Sequence, residues 1–113
     1  MSVRSDLVYV QHILKAIGRA QEYTRGMTKE AFMENTLVQD AVVRQFEVIG
    51  EAAKKVSQEF RQQHAAIPWS FMAKMRDILI HHYWDVDLHV VWVTLHRDIP
   101  GLVPLLRSAL GSP

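Results

Sequence analysis

A helical repeat of apolar residues runs through most of the chain and restricts its fold more than any other feature. It is most regular between Val42 and Phe60, where apolar side chains recur after four and three residues in turn. The members of this stripe are Val42, Phe46, Ile49, Ala53, Val56 and Phe60. Because this spacing places them on one side of an α-helix, the pattern predicts a helix of about six turns that needs a long partner surface.

The same repeat predicts a helix before this one. It runs from Asp6 to about Tyr23, with Ser5 or Asp6 as a possible N-cap, and Gly26 is a plausible left-handed residue at which it ends. A short helix over 29–33 is expected next, because Thr28 can cap it.

Cap and turn residues divide the rest of the chain. Thr36 and Gln39 have the spacing of a capping box and predict the start of the long helix. Pro68 predicts the end of the long helix. A third helix is expected to follow and to end near Tyr83 or Trp84.

Asp87 is expected to cap a fourth helix, which Asp98-Ile99-Pro100 breaks, and a leucine-rich stretch over 102–110 predicts a short fifth helix. No segment alternates in polarity beside a convincing turn, so no sheet is expected. The predicted fold class is all-α: one domain over 1–113, built as an antiparallel bundle of four to five helices.

Composition excludes several classes of function. The 113 residues contain no cysteine, which excludes a disulfide framework, a thiolate nucleophile and a cysteine zinc site. A net charge of +1 argues against broad electrostatic binding of nucleic acid, so a nucleic-acid partner would need a local cluster. The chain shows no signal peptide and no apolar run long enough for a membrane span, so a soluble cytoplasmic protein is expected.

One polar segment, KMRDILIHHYWDVD at 74–87, holds the candidate functional residues. It places Arg76, Asp77, His81, His82 and Tyr83 on a predicted helix that is otherwise apolar. Titratable groups on the packed side of a bundle need partners or a cleft, because desolvation disfavours their charged forms.

Helical geometry leaves two ways to assemble this segment into a site. On a continuous helix Tyr83 shares a face with Arg76, whereas His81 lies about 140° away from Arg76. Either the last helical turn unwinds near His81, or a second copy of the chain completes the site across a symmetric dimer.

The segment RDILIHHY resembles the Arg-x4-His-x-Tyr motif of HepT-like toxins, which belong to the HEPN superfamily of helical nucleases. The run at 39–56, with its Ile-Gly-Glu-Ala signature, is similar to the family's long helix. The Pro-Trp, motif and Val-Asp…Val-Trp blocks at 67–92 also follow in the family's order. The resemblance covers nearly the whole chain and is strongest over 38–104.

The resemblance implies a HEPN-like homodimer with metal-independent endoribonuclease activity centred on Arg76 and His81. It also implies an antitoxin with a minimal nucleotidyltransferase fold, which in related systems transfers AMP onto the motif tyrosine, here Tyr83. The same resemblance allows a larger complex in which toxin dimers bind the antitoxin. His82 also satisfies the superfamily's looser spacing, although the His-x-Tyr spacing favours His81, and Asp77 has a supporting position.

The residue types suit RNA cleavage without a cofactor. Histidine can exchange protons near neutral pH, and an arginine can hold the scissile phosphate and offset its charge in the transition state. Two alternatives stay open: a catalytically inert helical partner of a nucleotidyltransferase-like protein, and a small regulator in which Arg76 binds a nucleotide phosphate. The heptad His82, His89 and His96 is expected to be accidental rather than a metal site.

Overall fold

A computed structural model describes residues 3–82 and 85–111, with the backbone alone for Val3 and for residues 78–82. Two long helices, α1 and α3, form the centre of the fold, and shorter helices pack around them. The helices are α1 Val3–Tyr23, α2 Lys29–Met33, α3 Thr36–Lys55, α4 Gln58–Gln63, α5 Trp69–Ala73, α6 Met75–Leu79, α7 Leu88–Val93 and α8 Leu102–Ala109. A π-helical turn over Thr94–Asp98 continues α7. The all-α class is confirmed in its coarse form, because the described chain is mostly helical.

The hydrophobic core lies between α1 and α3 and is closed by the shorter helices. Both apolar stripes predicted from the repeat contribute to it, with Val10, Ile13 and Ile17 from α1 fully or almost fully buried. On α3 the residues Val42, Phe46 and Ile49 have no exposed surface. The periodicity therefore identified the faces along which these two helices pack.

Turn residues between α1 and α3 follow the prediction at two positions and differ at a third. Gly26 has a φ of +73°, the left-handed conformation expected of the residue after α1. The Thr28 side chain accepts a hydrogen bond from the Ala31 amide, as predicted for the cap of α2.

The predicted capping box at Thr36 is wrong. Asn35 is the N-cap of α3, and its Oδ1 accepts a hydrogen bond from the Val38 amide over 3.0 Å. Gln39 instead donates its side-chain amide to the Phe32 carbonyl over 2.9 Å, which ties α3 to the end of α2. The shift by one residue follows from an asparagine being at least as good an N-cap as a threonine.

The long helix is shorter than predicted, because α3 ends at Lys55 and a new helix, α4, starts after Ser57. The Ser57 hydroxyl caps α4 by accepting from the Phe60 amide. Asp6, which was expected to cap α1, reaches across from α1 and accepts from the Ser57 amide and hydroxyl over 2.8 and 2.7 Å. This contact joins the start of α1 to the end of α3, so the two helices run antiparallel.

The expectation of no sheet is also wrong in one place. The predicted third helix is divided at Lys74 into α5 and α6 and ends at Leu79 instead of near Tyr83 or Trp84. Two short antiparallel strands follow, β1 Ile80–His82 and β2 Asp85–Val86, with Ile80 opposite Val86 and His82 opposite Asp85. They are too short for the alternation of polarity by which a strand is read from sequence.

The second half of the chain otherwise keeps its predicted boundaries. The Asp87 carboxylate caps α7 by accepting from the Val90 amide over 3.1 Å. The π-helical turn ends before Pro100, and α8 occupies the leucine-rich stretch. In residues 3–82 and 85–111 no helix combines the length and the apolar character needed to cross a membrane.

Candidate functional site

Arg76 is presented to solvent by a helix whose other side is anchored in the core. It follows Met75, which has no exposed surface and holds α6 in the interior. Arg76 itself points outward, with 60% of its side-chain surface exposed. A guanidinium at this position is reachable by an anion from solvent, and its planar donor set suits a phosphate.

Gly50 on α3 allows the α5–α6 junction to come close. A Cβ atom at position 50 would lie 3.4 Å from the Met72 carbonyl oxygen, 3.6 Å from that of Ala73 and 4.0 Å from the Arg76 nitrogen. The α5–α6 backbone therefore rests directly on α3 from Met72 to Arg76. The glycine of the Ile-Gly-Glu-Ala signature thus has a packing role beside Arg76.

Glu47, one turn before Gly50, forms an ion pair with Arg76. Its Oε2 lies 3.5 Å from the Arg76 Nε, and its side chain is 34% exposed. Two other charged residues, Lys54 and Glu51, pair within α3 over 4.0 Å, whereas Glu47 pairs with a residue of another helix. Because Glu47 and Arg76 are 29 positions apart in different helices, no local spacing signals their pairing.

His81 is not on the helix that carries Arg76. It lies in β1, between the paired residues Ile80 and His82, where the register of the strand pairing is irregular. Helix α6 ends at Leu79, before His81, and completion of the site by a second copy of the chain stays a prediction.

The remaining residues of the motif are only partly described. Tyr83 and Trp84 lie outside the described residues, and the side chains of His81 and His82 are not described, so their predicted roles stay predictions. Asp77 is exposed on α6, and the ion pairs among the described side chains do not include it.

Among the described residues, no three histidine or acidic side chains come together as a metal site. His96 is engaged elsewhere: its ring stacks on Trp92 with centroids 3.8 Å apart, and its Nδ1 lies 2.9 Å from the Trp92 carbonyl oxygen. Trp92 also packs on Phe32, and Trp69 is buried, so both tryptophans are packing residues.

A groove of about 430 Å³ runs between α1 and α3 and shares Glu47 with the ion pair. Its walls are mixed in charge, with Arg44 and Lys55 balanced by Glu47 and Glu51. The groove is lined by Tyr9, His12, Arg44, Glu47, Val48, Glu51, Ala52 and Lys55. Arg76 therefore stands beside a depression without a dominant charge.

Comparison of the sequence with known proteins identifies the family of this chain. The family model described as "Ribonuclease HepT-like" matches residues 13–109. The chain is 44% identical over 99 residues to "Probable ribonuclease HepT" of Thermococcus cleftensis, a match that covers 88% of this chain and 90% of the relative. It is 37% identical over 102 residues to a "Putative RNase" of Caldanaerobacter subterraneus, covering 90% of this chain and 91% of that protein.

A further relative is longer than this chain. "Gamma-glutamylcyclotransferase and putative RNase" of Methanocaldococcus jannaschii is 45% identical over 101 residues, which make up 88% of this chain but 46% of that protein. No solved structure matches the chain. The family model covers all of the site described above, from Glu47 and Gly50 on α3 to Arg76 on α6, and the chain belongs to the HepT-like ribonuclease family.

Proposed function

We propose that this chain is a metal-independent endoribonuclease and the toxin of a toxin–antitoxin pair. The observation that carries the proposal is the exposed guanidinium of Arg76 on α6, five positions before His81 in the adjoining strand. The names of the relatives, which describe ribonucleases, support the same activity.

The chemistry needs only the side chains of the motif. An imidazole, His81 in this proposal, removes the proton of the 2'-hydroxyl, whose oxygen then attacks the adjacent phosphorus. The new bond closes a 2',3'-cyclic phosphate as the bond to the 5'-oxygen breaks, and a protonated imidazole returns a proton to that oxygen. Arg76 holds the phosphate and offsets the charge that grows on its oxygens.

A homodimer supplies the second imidazole. One acid and one base are required, and a two-fold axis beside Arg76 would bring two copies of β1 to a common groove. His81 is the first choice for both roles because it keeps the His-x-Tyr spacing, and His82 is the alternative in each chain. Asp77, next to Arg76 and exposed, would support the guanidinium.

The proposed antitoxin has a minimal nucleotidyltransferase fold and acts on Tyr83. Transfer of AMP from ATP would form a bond between the tyrosine oxygen and the α-phosphorus and release pyrophosphate. The added phosphate would repel RNA and occupy Arg76, which accounts for inactivation. Complexes of the antitoxin with one or more toxin dimers follow from this arrangement.

Cleavage of a defined RNA tests the proposal. Purified protein is incubated with end-labelled single-stranded RNA in EDTA, and the product ends are identified by mass spectrometry. We expect fragments ending in a 2',3'-cyclic phosphate from the wild type and their loss in Arg76→Ala and His81→Ala. His82→Ala distinguishes the two imidazoles, and Lys74→Ala is the matched control because Lys74 is an exposed cation of the same segment.

Two results would overturn the proposal. Cleavage that disappears in EDTA contradicts metal independence, and cleavage that is equal in all the variants places the activity elsewhere. Induction of the same variants in cells, scored by growth and RNA integrity, extends the test to toxicity. Equal growth with the wild type and both motif variants would favour the inert binding partner.

A further inference from the structure

Glu47 and Gly50 lie three residues apart on the same side of α3 and both face the start of α6. Gly50 admits the backbone at Arg76, and Glu47 contacts the side chain of the same residue. Helix α3 therefore lies against Arg76 at two places, its main chain and its guanidinium. The Arg76 side chain keeps 60% of its surface exposed.

The contact engages one particular side of Arg76. The distance of 3.5 Å joins Glu47 Oε2 to Nε of Arg76. The guanidinium has two further nitrogens, Nη1 and Nη2. These two nitrogens form a fork that can bind two oxygens of one phosphate.

We propose that Glu47 is a positioning residue for the cleavage reaction: it holds Arg76 by Nε so that Nη1 and Nη2 face the scissile phosphate. This inference rests on the proposed ribonuclease function and adds a residue outside the Arg-x4-His-x-Tyr motif. Glu47 itself touches neither the phosphate nor the reacting oxygens. It acts by limiting the orientations of a long side chain, which otherwise has many rotamers.

The charge of Glu47 has an opposite effect on RNA binding. A carboxylate beside Arg76 cancels part of the attraction for a polyanion, so Glu47 weakens binding while it improves orientation. Removal of the charge alone therefore lowers KM, whereas loss of the contact lowers kcat. A residue that only stabilised the fold would not produce this separation.

The experiment compares Glu47→Gln with Glu47→Ala in steady-state cleavage of the RNA used above. The amide oxygen of Gln can still face Nε but carries no charge, so kcat is expected to stay close to wild type while KM falls about two- to fivefold. The alanine variant loses the contact, and kcat is expected to fall about 10- to 100-fold with no rise in KM. The fall in KM should diminish at high salt.

Glu51→Ala is the matched control. Glu51 is one turn further along α3, lines the same groove and pairs with Lys54 instead of Arg76. Its loss should leave kcat unchanged. If Glu51→Ala lowers kcat as much as Glu47→Ala does, the effect belongs to the charge of the helix and the proposal is wrong.

An Arg76→Lys background shows whether Glu47 acts through Arg76. Lysine has no planar guanidinium to be oriented, so adding Glu47→Ala to Arg76→Lys should change kcat by less than about twofold, whereas independent effects would multiply. A multiplicative result would refute the positioning role. If the wild type does not cleave RNA, the ribonuclease proposal fails; if it cleaves and Glu47→Ala is indistinguishable from it, this inference alone fails.

Discussion

Replacement of Gly50 by valine tests how closely α6 must approach α3 for Arg76 to be placed. A Cβ at position 50 would already be in van der Waals contact with the Met72 carbonyl at 3.4 Å. The two methyl groups of valine extend about 1.5 Å further and meet the α5–α6 backbone, which is not a flexible side chain. Overpacking of this kind costs about 1–3 kcal/mol.

Gly18 supplies the reference for helix propensity. It lies inside α1, is exposed, and a Cβ there would meet nothing within 4 Å. Gly18→Val should raise the free energy of unfolding by about 0.3–0.5 kcal/mol through helix propensity alone. The free energy of unfolding of Gly50→Val should therefore lie about 1–3 kcal/mol below that of Gly18→Val.

Urea unfolding followed by circular dichroism measures the free energy of unfolding of both variants. The RNA assay is then repeated under conditions in which each variant is fully folded. We expect Gly50→Val to lose most of its cleavage even when folded, and Gly50→Ala to keep both stability and activity. Equal unfolding free energies for Gly50→Val and Gly18→Val would refute the close-approach argument. Normal cleavage by a folded Gly50→Val would show that the placement of α6 does not control Arg76.

Two further predictions concern contacts that the sequence did not indicate. Asp6→Ala removes both bonds to Ser57 and should lower the free energy of unfolding by about 2–4 kcal/mol, whereas Asp40→Ala, an exposed change on α3, should alter it by less than about 0.5 kcal/mol. Asn35→Ala should cost about 1 kcal/mol as the loss of an N-cap, and Thr36→Ala should cost less than about 0.5 kcal/mol. Chemical denaturation measures the free energy of unfolding of all four variants. A larger loss of stability for Thr36→Ala than for Asn35→Ala would support the capping box at Thr36 instead.

The main helical faces could be predicted because one physical rule governs them. Burial of an apolar side requires a repeat near 3.6 residues, and that repeat is visible at Val42, Phe46 and Ile49 without knowledge of the partner helix. Caps such as Thr28 and Asp87 were also predictable, because the side chain binds an amide three residues away.

Interruptions of the helices were harder to predict because they depend on distant residues. The apolar stripe through Val56 and Phe60 continues across the break at Ser57, so the repeat does not reveal the break. The hydrogen bonds that Ser57 donates at this break go to Asp6, which is 51 positions away in the sequence. The strand that carries His81 is paired over very few residues and leaves no alternation to recognise.

For the candidate site, the motif in the sequence predicts Arg76 and His81, but no sequence pattern singles out Glu47, which pairs with Arg76. The carboxylate was one of several charges on an exposed side of α3, and nothing in its neighbourhood distinguishes it from Glu51. Only the approach of α6 to α3 at Gly50 brings Arg76 next to Glu47.

A dimer with one altered subunit tests the central claim, a shared site that uses both imidazoles. Wild-type and His81→Ala chains carrying different affinity tags are expressed together, and the mixed dimer is isolated on both tags in turn. A shared site predicts cleavage far below half of the wild-type rate. A rate of half or more, or failure of the two tagged chains to associate, would contradict it.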